Sequence, residues 1–250
     1  MNGIPNSKYL LTIPVFNEEI NLPNLLSRLE ECNTDSTLDI LFVDGSSTDS
    51  TVKLINDSKL RKTILIYSGE KKLTGQLQKA YKYCLENEYI GVITMDGNNK
   101  DDPCFIKNFI EKLEHGYDYV QGSRFMKNGK SINLPVFRKF VIKLIHIPII
   151  KIASSFNYTD TTQGFRGYSR KLLINKDIDI FKKTSKRYQL LLRVTLLTYK
   201  SGLKIIEIPT TRTYTNSKLQ TKFNSFSLIL YLYDLIIISM FTVFKSKSSN

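Results

Sequence analysis

Three short polar clusters hold most of the side chains that could do chemistry in this chain. Asn17 and Glu18 follow the apolar run 9–15, Asp44-Gly45-Ser46-Ser47-Thr48-Asp49 follows 38–43, and Asp96-Gly97-Asn98-Asn99-Lys100-Asp101-Asp102 follows 89–95. Carboxylate and amide oxygens are the ligands that hard divalent cations prefer. They also accept hydrogen bonds from sugar hydroxyls. The same residue types make turns and cap helices, so one cluster alone decides nothing, and three at one edge carry more. No Gly-x-Gly-x-x-Gly follows the first run and no complete phosphate-loop motif occurs, which disfavours both nucleotide sites. The chain has two histidines, His115 and His146, and three cysteines, Cys32, Cys84 and Cys104, with no close pair. That argues against a His- or Cys-based metal site and a disulfide framework, and fits a reducing compartment.

The elements that must position these clusters read as alternating strands and helices. Apolar runs at 9–15, 38–43, 63–67, 89–95 and 117–121 predict buried strands. Helical spacing predicts helices over 21–32, 50–60, 75–87 and 103–115, the last with a Pro at its start. Such units imply an α/β fold with a mostly parallel sheet, in which ligands sit beyond the carboxyl ends of the strands. With 250 residues, 42% hydrophobic and 24% charged, the chain is globular, one large domain or one with an appendage. Its net charge is +13, but residues 1–120 carry 13 basic and 18 acidic side chains and residues 121–250 carry 23 and 5. The basic half suits an anionic lipid or a phosphorylated substrate. Nucleic acid is disfavoured, because no Lys/Arg–aromatic stacking motif accompanies the charge. The N-terminal stretch lacks the pattern of a secretory signal.

Seven motifs in order resemble the family-2 glycosyltransferases of the GT-A fold, and within them the polyprenyl-phosphate sugar synthases. They are Ile13-Pro14-Val15-Phe16-Asn17-Glu18-Glu19, Phe42-Val43-Asp44-Gly45-Ser46, Gly75-Gln76, Asp96-Gly97-Asn98-Asn99-Lys100-Asp101-Asp102-Pro103, Gly122-Ser123-Arg124, Asp160 to Tyr168, and Glu207-Ile208-Pro209 followed by Arg212 and Ser217-Lys218. The resemblance implies that Pro14, Phe16, Glu18, Asp44 and Gln76 hold the nucleoside of a nucleotide-diphosphate sugar. It implies that Asp96 and Asn98 occupy catalytic positions holding Mg²⁺ or Mn²⁺ on the donor diphosphate, with Lys100, Arg212 and Lys218 on the same group. Arg212 and Lys218 are expected on a mobile lid. Asn98 replaces a usual Asp, and Lys100 stands where Gln is common, so metal binding is expected to be weak and partly supplemented by Lys100. Arg124 and Arg138 are candidates for the acceptor phosphate, since the guanidinium fork suits phosphate oxygens. The Glu-Asp pair of hydroxyl-using relatives is absent at Asp160-Thr161-Thr162-Gln163. This favours a phosphate acceptor, with Asp160 as fallback base.

The expected organisation is a GT-A domain over 1–222, including an interfacial helix at about 136–156, and an apolar helix with a basic tail over 223–250. Lys139, Lys143 and His146 share one face of the first helix, which suits an anionic membrane surface. Residues 226–244 carry one charge, Asp234, and a polar stripe. That pattern reads as a docking helix or a single anchor, placing the protein at the cytoplasmic face of the membrane, with a membrane partner protein possible. Rival readings are a same-fold transferase acting on a glycan hydroxyl and a degenerate nucleotide-sugar-binding module.

Overall fold

The computed structural model describes residues 7–36, 38–60, 63–69, 72–182 and 189–214, together with Ile236 and Ser239. The first half runs β1 (Tyr9–Val15), α1 (Leu22–Glu31), β2 (Asp39–Asp44), α2 (Thr51–Asn56), β3 (Thr63–Tyr67), α3 (Leu73–Glu86), β4 (Gly91–Thr94), α4 (Ile106–Glu114) and β5 (Tyr119–Ser123). It continues through β6 (Lys130–Ile132), α5 (Val136–Val141), α6 (Ile147–Ser154), β7 (Arg166–Ser169), α7 (Arg170–Leu173), α8 (Gln189–Leu197), β8 (Ile205–Pro209) and β9 (Thr211–Thr213). The expected strands and helices appear with ends shifted by a few residues, and the fifth strand moves two residues onward.

Seven strands form one sheet in the order β3-β2-β1-β4-β7-β5-β8, with helices on both faces. Successive residues of β1 and β2 serve opposite layers. Leu10, Leu41 and Val43 pack with Leu77 and Tyr81 of α3. Leu11, Ile13, Ile40 and Phe42 pack with Leu25 of α1 and Phe109 of α4. That double burial is why these strands read as continuous apolar runs. In α1 the buried residues are Leu22, Leu25, Leu26 and Leu29, the spacing of a single helical stripe. All pairings are parallel except those of β7, which runs antiparallel to both β4 and β5. Beyond β8 the chain crosses to a two-stranded sheet of β6 and β9.

The helix expected near 136–156 forms as α5, a π-helical turn over Ile142–His146, and α6. Pro148 lies at the start of α6, where its missing N–H is absorbed by the wider turn before it. The turn also rotates His146 inward. The ring is 1% exposed and meets Thr161 Oγ1 at 2.6 Å, so His146 does not share the exposed basic face with Lys139 and Lys143. No helix among the described residues is long and apolar enough to cross a membrane. The C-terminal helix expected over 226–244 lies outside the described residues apart from Ile236 and Ser239.

One expectation is overturned outright. Cys32, which caps the C-terminus of α1, and Cys104, in the 3₁₀ turn Pro103–Phe105, form a disulfide across 72 residues of sequence. Sequence spacing hid the pair because only the packing of α1 against the turn after β4 brings them together. Asp102 caps this turn by accepting from the Cys104 N–H, and Arg28 of α1 lies 3.6 Å from the same carboxylate. Closing a loop of that length constrains the unfolded chain. Reduction, or Cys32→Ser, is therefore expected to lower stability by about 2–4 kcal/mol, read from denaturant melts with and without reductant.

Candidate functional site

The carboxyl ends of β2, β1 and β4 lie side by side, and each carries one of the polar clusters. Asp44 ends β2 and is 1% exposed. Its carboxylate accepts from the Ser46 N–H at 2.9 Å, the Ser47 N–H at 3.0 Å and the Ser47 hydroxyl at 2.5 Å. It thereby shapes the loop that faces the end of β1. Gln76, expected among the donor contacts, instead donates both amide hydrogens inward, to Val15 O at 2.6 Å and Val43 O at 2.9 Å. It ties the two strand ends together. A side chain at Gly45 would meet that amide at 2.8 Å, which explains why glycine stands there. Phe16 and Glu18 are half-buried on the next loop, where Glu18 accepts from Asn21 Nδ2 at 2.7 Å. Pro14 lines a small cavity together with Asp96, Gly164 and Leu191.

Asp96 sits at the centre of the rim. Arg212 donates to it at 2.8 Å through Nη2 and holds both oxygens of Asp101 at 2.7 and 2.6 Å through Nη1. Arg212 is 7% exposed and lies within the short strand β9, where the sequence reads a polar loop. Lys218, Thr215 and Asn216 lie outside the described residues. Backbone bonds seat β9 on the loop, with Thr213 N–H donating to Lys100 O at 2.9 Å. Lys100 is 8% exposed. Burial and the nearby Arg212 pull its ammonium below the usual lysine range, against Asp96 and Glu18.

Around a single ring, that of Tyr214, stand Lys100 at 5.7 Å, Arg138 at 5.6 Å, Arg212 at 5.9 Å and Arg124 at 6.0 Å. Two of the three cations expected on the donor, Lys100 and Arg212, thus share one rim with the two expected on the acceptor, Arg124 and Arg138. Arg124, however, is not poised for a ligand. It is 3% exposed, and its guanidinium is held by Asp160 at 2.7 and 3.0 Å, by Thr162 Oγ1 at 2.5 Å, and by the Tyr214 hydroxyl. Its expected acceptor-phosphate role is corrected to an internal one.

Asp160 is fully buried. Burial opposes its charge, but Arg124 outweighs that and holds its carboxyl below the usual range. Glu207 of β8 secures the same turn, accepting from Thr159 N–H at 2.8 Å, Thr159 Oγ1 at 2.9 Å and Asp160 N–H at 2.9 Å. Burial pushes the Glu207 carboxyl up to about 7 despite those bonds. Arg166, at the start of β7, binds Gln163 O at 3.0 Å and Thr161 O at 2.7 Å, fixing the loop that runs up to the rim.

By residue type, Asp96 and Asn98 offer the oxygen ligands that a hard cation takes, although Arg212 already holds one Asp96 oxygen. Asp96 contributes a part-exposed carboxylate, and Asn98 a neutral amide oxygen that accepts a long bond, 3.3 Å, from the Lys100 N–H. Gly164 supplies the cradle, because a Cβ there would overlap Asp96 Oδ1. Residues that sequence reasoning passed over are Tyr214, Gly164, Asp101 and Glu207 in these roles. Asp101 stood inside a recognised motif, whereas Tyr214 is an aromatic within a threonine-rich polar stretch that carries no signal of its own.

The sequence model described as Glycosyl transferase family 2 matches residues 11–175. An undecaprenyl-phosphate mannosyltransferase of Micrococcus luteus is 30% identical over 209 residues, covering 82% of this chain and 83% of its own. A polyprenol monophosphomannose synthase of Mycolicibacterium smegmatis is 26% identical, covering 84% and 78%. Among solved structures, glucosyl-3-phosphoglycerate synthase from Mycobacterium tuberculosis, in complex with Mg²⁺ and uridine diphosphate, superposes with a TM-score of 0.63. It is 15% identical and the match covers 86% of this chain and 73% of that one. The architecture is the α/β GT-A fold with a mostly parallel central sheet flanked by helices.

Two measurements test this geometry. Gly164→Ala is expected to fold, since only the Asp96 carboxylate stands in the way, and, with Asp96 in the catalytic position the motif implies, to lose at least about 100-fold in turnover, since displacing such a group by an ångström costs that much. Burial pushes the His146 ring down to about 4 from its ordinary 6.5, so the folded protein keeps it neutral. Its contribution is complete above about pH 6.5 and is lost as pH falls towards 4. The stability of the wild type relative to His146→Gln should therefore drop over that window, by up to about 1.4 kcal/mol per pH unit, measured by denaturant melts.

Proposed function

The chain belongs to glycosyl transferase family 2, and we propose that it transfers a sugar from a nucleotide-diphosphate sugar to a polyprenyl phosphate at a membrane surface. The observation that carries this reading is the gathering of Lys100, Arg138 and Arg212 about one ring beside Asp96. That rim suits two phosphate-bearing ligands at once. The names of the two mannosyl-transferring relatives support the acceptor class.

In this mechanism Asp44, Phe16, Pro14 and Glu18 border the nucleoside, and Lys100 faces the diphosphate, with Arg212 beside it holding Asp96 and Asp101 in place. Asp96 and Asn98 would hold Mg²⁺ or Mn²⁺, which when bound offsets charge on the departing nucleoside diphosphate. Arg138 meets the acceptor phosphate. One of that phosphate's oxygens attacks the anomeric carbon, the bond from that carbon to the diphosphate oxygen breaks, and its electron pair leaves with the nucleotide. The anomeric centre is inverted. A phosphate monoester is already anionic near neutral pH, its second pKa being about 6, so no general base is required. Asp160 supplies none, because both its oxygens are committed to Arg124. This disfavours the rival hydroxyl acceptor.

Beside the rim, α5 and α6 expose Val136 at 84%, Phe137 at 70% and Ile152 at 78%, flanked by exposed Lys139, Lys143 and Lys151. An apolar face edged with lysines suits an anionic lipid surface, and this is the face on which the lipid acceptor is read to arrive.

The test is to incubate the protein with GDP-mannose, UDP-glucose or UDP-N-acetylglucosamine, Mg²⁺ or Mn²⁺, and undecaprenyl phosphate in neutral or anionic vesicles. A sugar-phospholipid is expected, faster on anionic vesicles, and reduced at least about 100-fold by Asp96→Ala. Transfer to a glycan hydroxyl in place of the lipid phosphate would overturn the acceptor, and donor turnover indifferent to Asp96 would overturn the site.

A further inference from the structure

Resting on that transfer reading, we propose that Tyr214 is a positioning residue: its ring and hydroxyl hold the cations of the rim where the phosphates of donor and acceptor are received. Tyr214 follows β9 and is 6% exposed, with its N–H donating to Ile132 O at 2.9 Å. Its backbone is thus fixed to the small sheet. Its hydroxyl accepts from Arg124 Nη1, and Arg124 is itself locked by Asp160. The ring plane is therefore set from the protein interior and not by the ligand.

Lys100, Arg138 and Arg212 come from three different parts of the chain, the loop after β4, helix α5 and strand β9. What they share is this ring, at 5.6 to 5.9 Å. The π face of tyrosine is negative and attracts cations at such distances. Without it, like charges packed this closely would spread apart into solvent, and the site would have to gather them again each time an anion bound. Asp96 and Asp101 compensate Arg212. The burial and the Arg212 field that depress Lys100 mark how crowded this cluster is.

Two variants separate the ring from the hydroxyl. Tyr214→Phe keeps the π face and loses the tether to Arg124, whereas Tyr214→Leu loses both. The probe is inorganic pyrophosphate with Mg²⁺, titrated by calorimetry, alongside KM and kcat in the polyprenyl-phosphate assay. Tyr214→Leu is expected to weaken pyrophosphate about tenfold and raise the KM for donor and acceptor together, with kcat within about threefold. Tyr214→Phe is expected to recover most of that loss, leaving about threefold. Should the leucine variant fail to fold, the phenylalanine variant decides alone, since a purely structural tyrosine would lower the melting temperature and leave pyrophosphate affinity and KM unchanged. Pyrophosphate affinity equal to that of the wild type in both variants, or in the phenylalanine variant where the leucine variant does not fold, overturns the role of Tyr214 and leaves the transfer reading standing. No pyrophosphate binding by the wild type overturns both.

Discussion

Arg212 grips two carboxylates at once, and the rest of the rim is arranged around that grip. Its Nη1 spans both oxygens of Asp101, which is 1% exposed, and its Nη2 reaches Asp96. Taking these charges out of water is costly. Breaking a buried pair by removing one partner costs about 3–5 kcal/mol, while replacing the whole pair with apolar groups is often neutral. The pair is therefore poor evidence for stability and good evidence for registry. It fixes β9 against the loop after β4, and the backbone bond from Thr213 to Lys100 runs between the same two segments. The chain that crosses over from β8 and the loop that bears Asp96 consequently hold one geometry.

A second constraint comes from topology. Parallel strands deliver only their carboxyl ends to the functional rim, and β1, β2, β4, β5 and β8 do so. Strand β7 runs the other way between β4 and β5, with Arg166 opposite Thr94. Its leading segment, residues 160–165, is thereby carried up to the rim. Gly164 reaches the Asp96 carboxylate and Asp160 reaches Arg124 for that reason alone. Had β7 been parallel, those residues would lie at the far edge. Thr94 Oγ1 donates to Gly164 O at 2.6 Å and closes the same join.

What could be read from the sequence follows from these two constraints. Period and run length fix local structure, so the first four strands, α1 and α3 were legible. The polar clusters at strand ends were legible as a site because parallel topology places them together. Charge partnering was not legible. Arg124 reads as a phosphate ligand from its motif, yet Asp160, 36 residues on, consumes it. Arg212 reads as a lid residue from its threonine-rich neighbours, yet Asp101 draws it into a strand. Gln76 keeps its motif position but faces strand carbonyls. Cys32 and Cys104 meet because α1 packs against the turn after the Asp96 loop, which their separation does not reveal. In each case the missing information is a long-range contact between residues whose local pattern is unremarkable.

These contacts also shape the chemistry that the rim can support. A reaction between a diphosphate sugar and a phosphate brings two anions together. At 4 Å and an effective dielectric near 20, each pair of unit charges repels by about 4 kcal/mol. A site for this must supply cations that outweigh its carboxylates. Here Asp101 and Asp160 are each neutralised by a buried arginine, so their negative charge is spent inside the fold. Lys100 and Arg138 face the rim with Tyr214 between them. A hydroxyl acceptor makes the opposite demand, a carboxylate exposed and able to take a proton. The partnering that hides Arg124 and Asp160 from a motif search is the same partnering that tilts this rim towards an anionic acceptor.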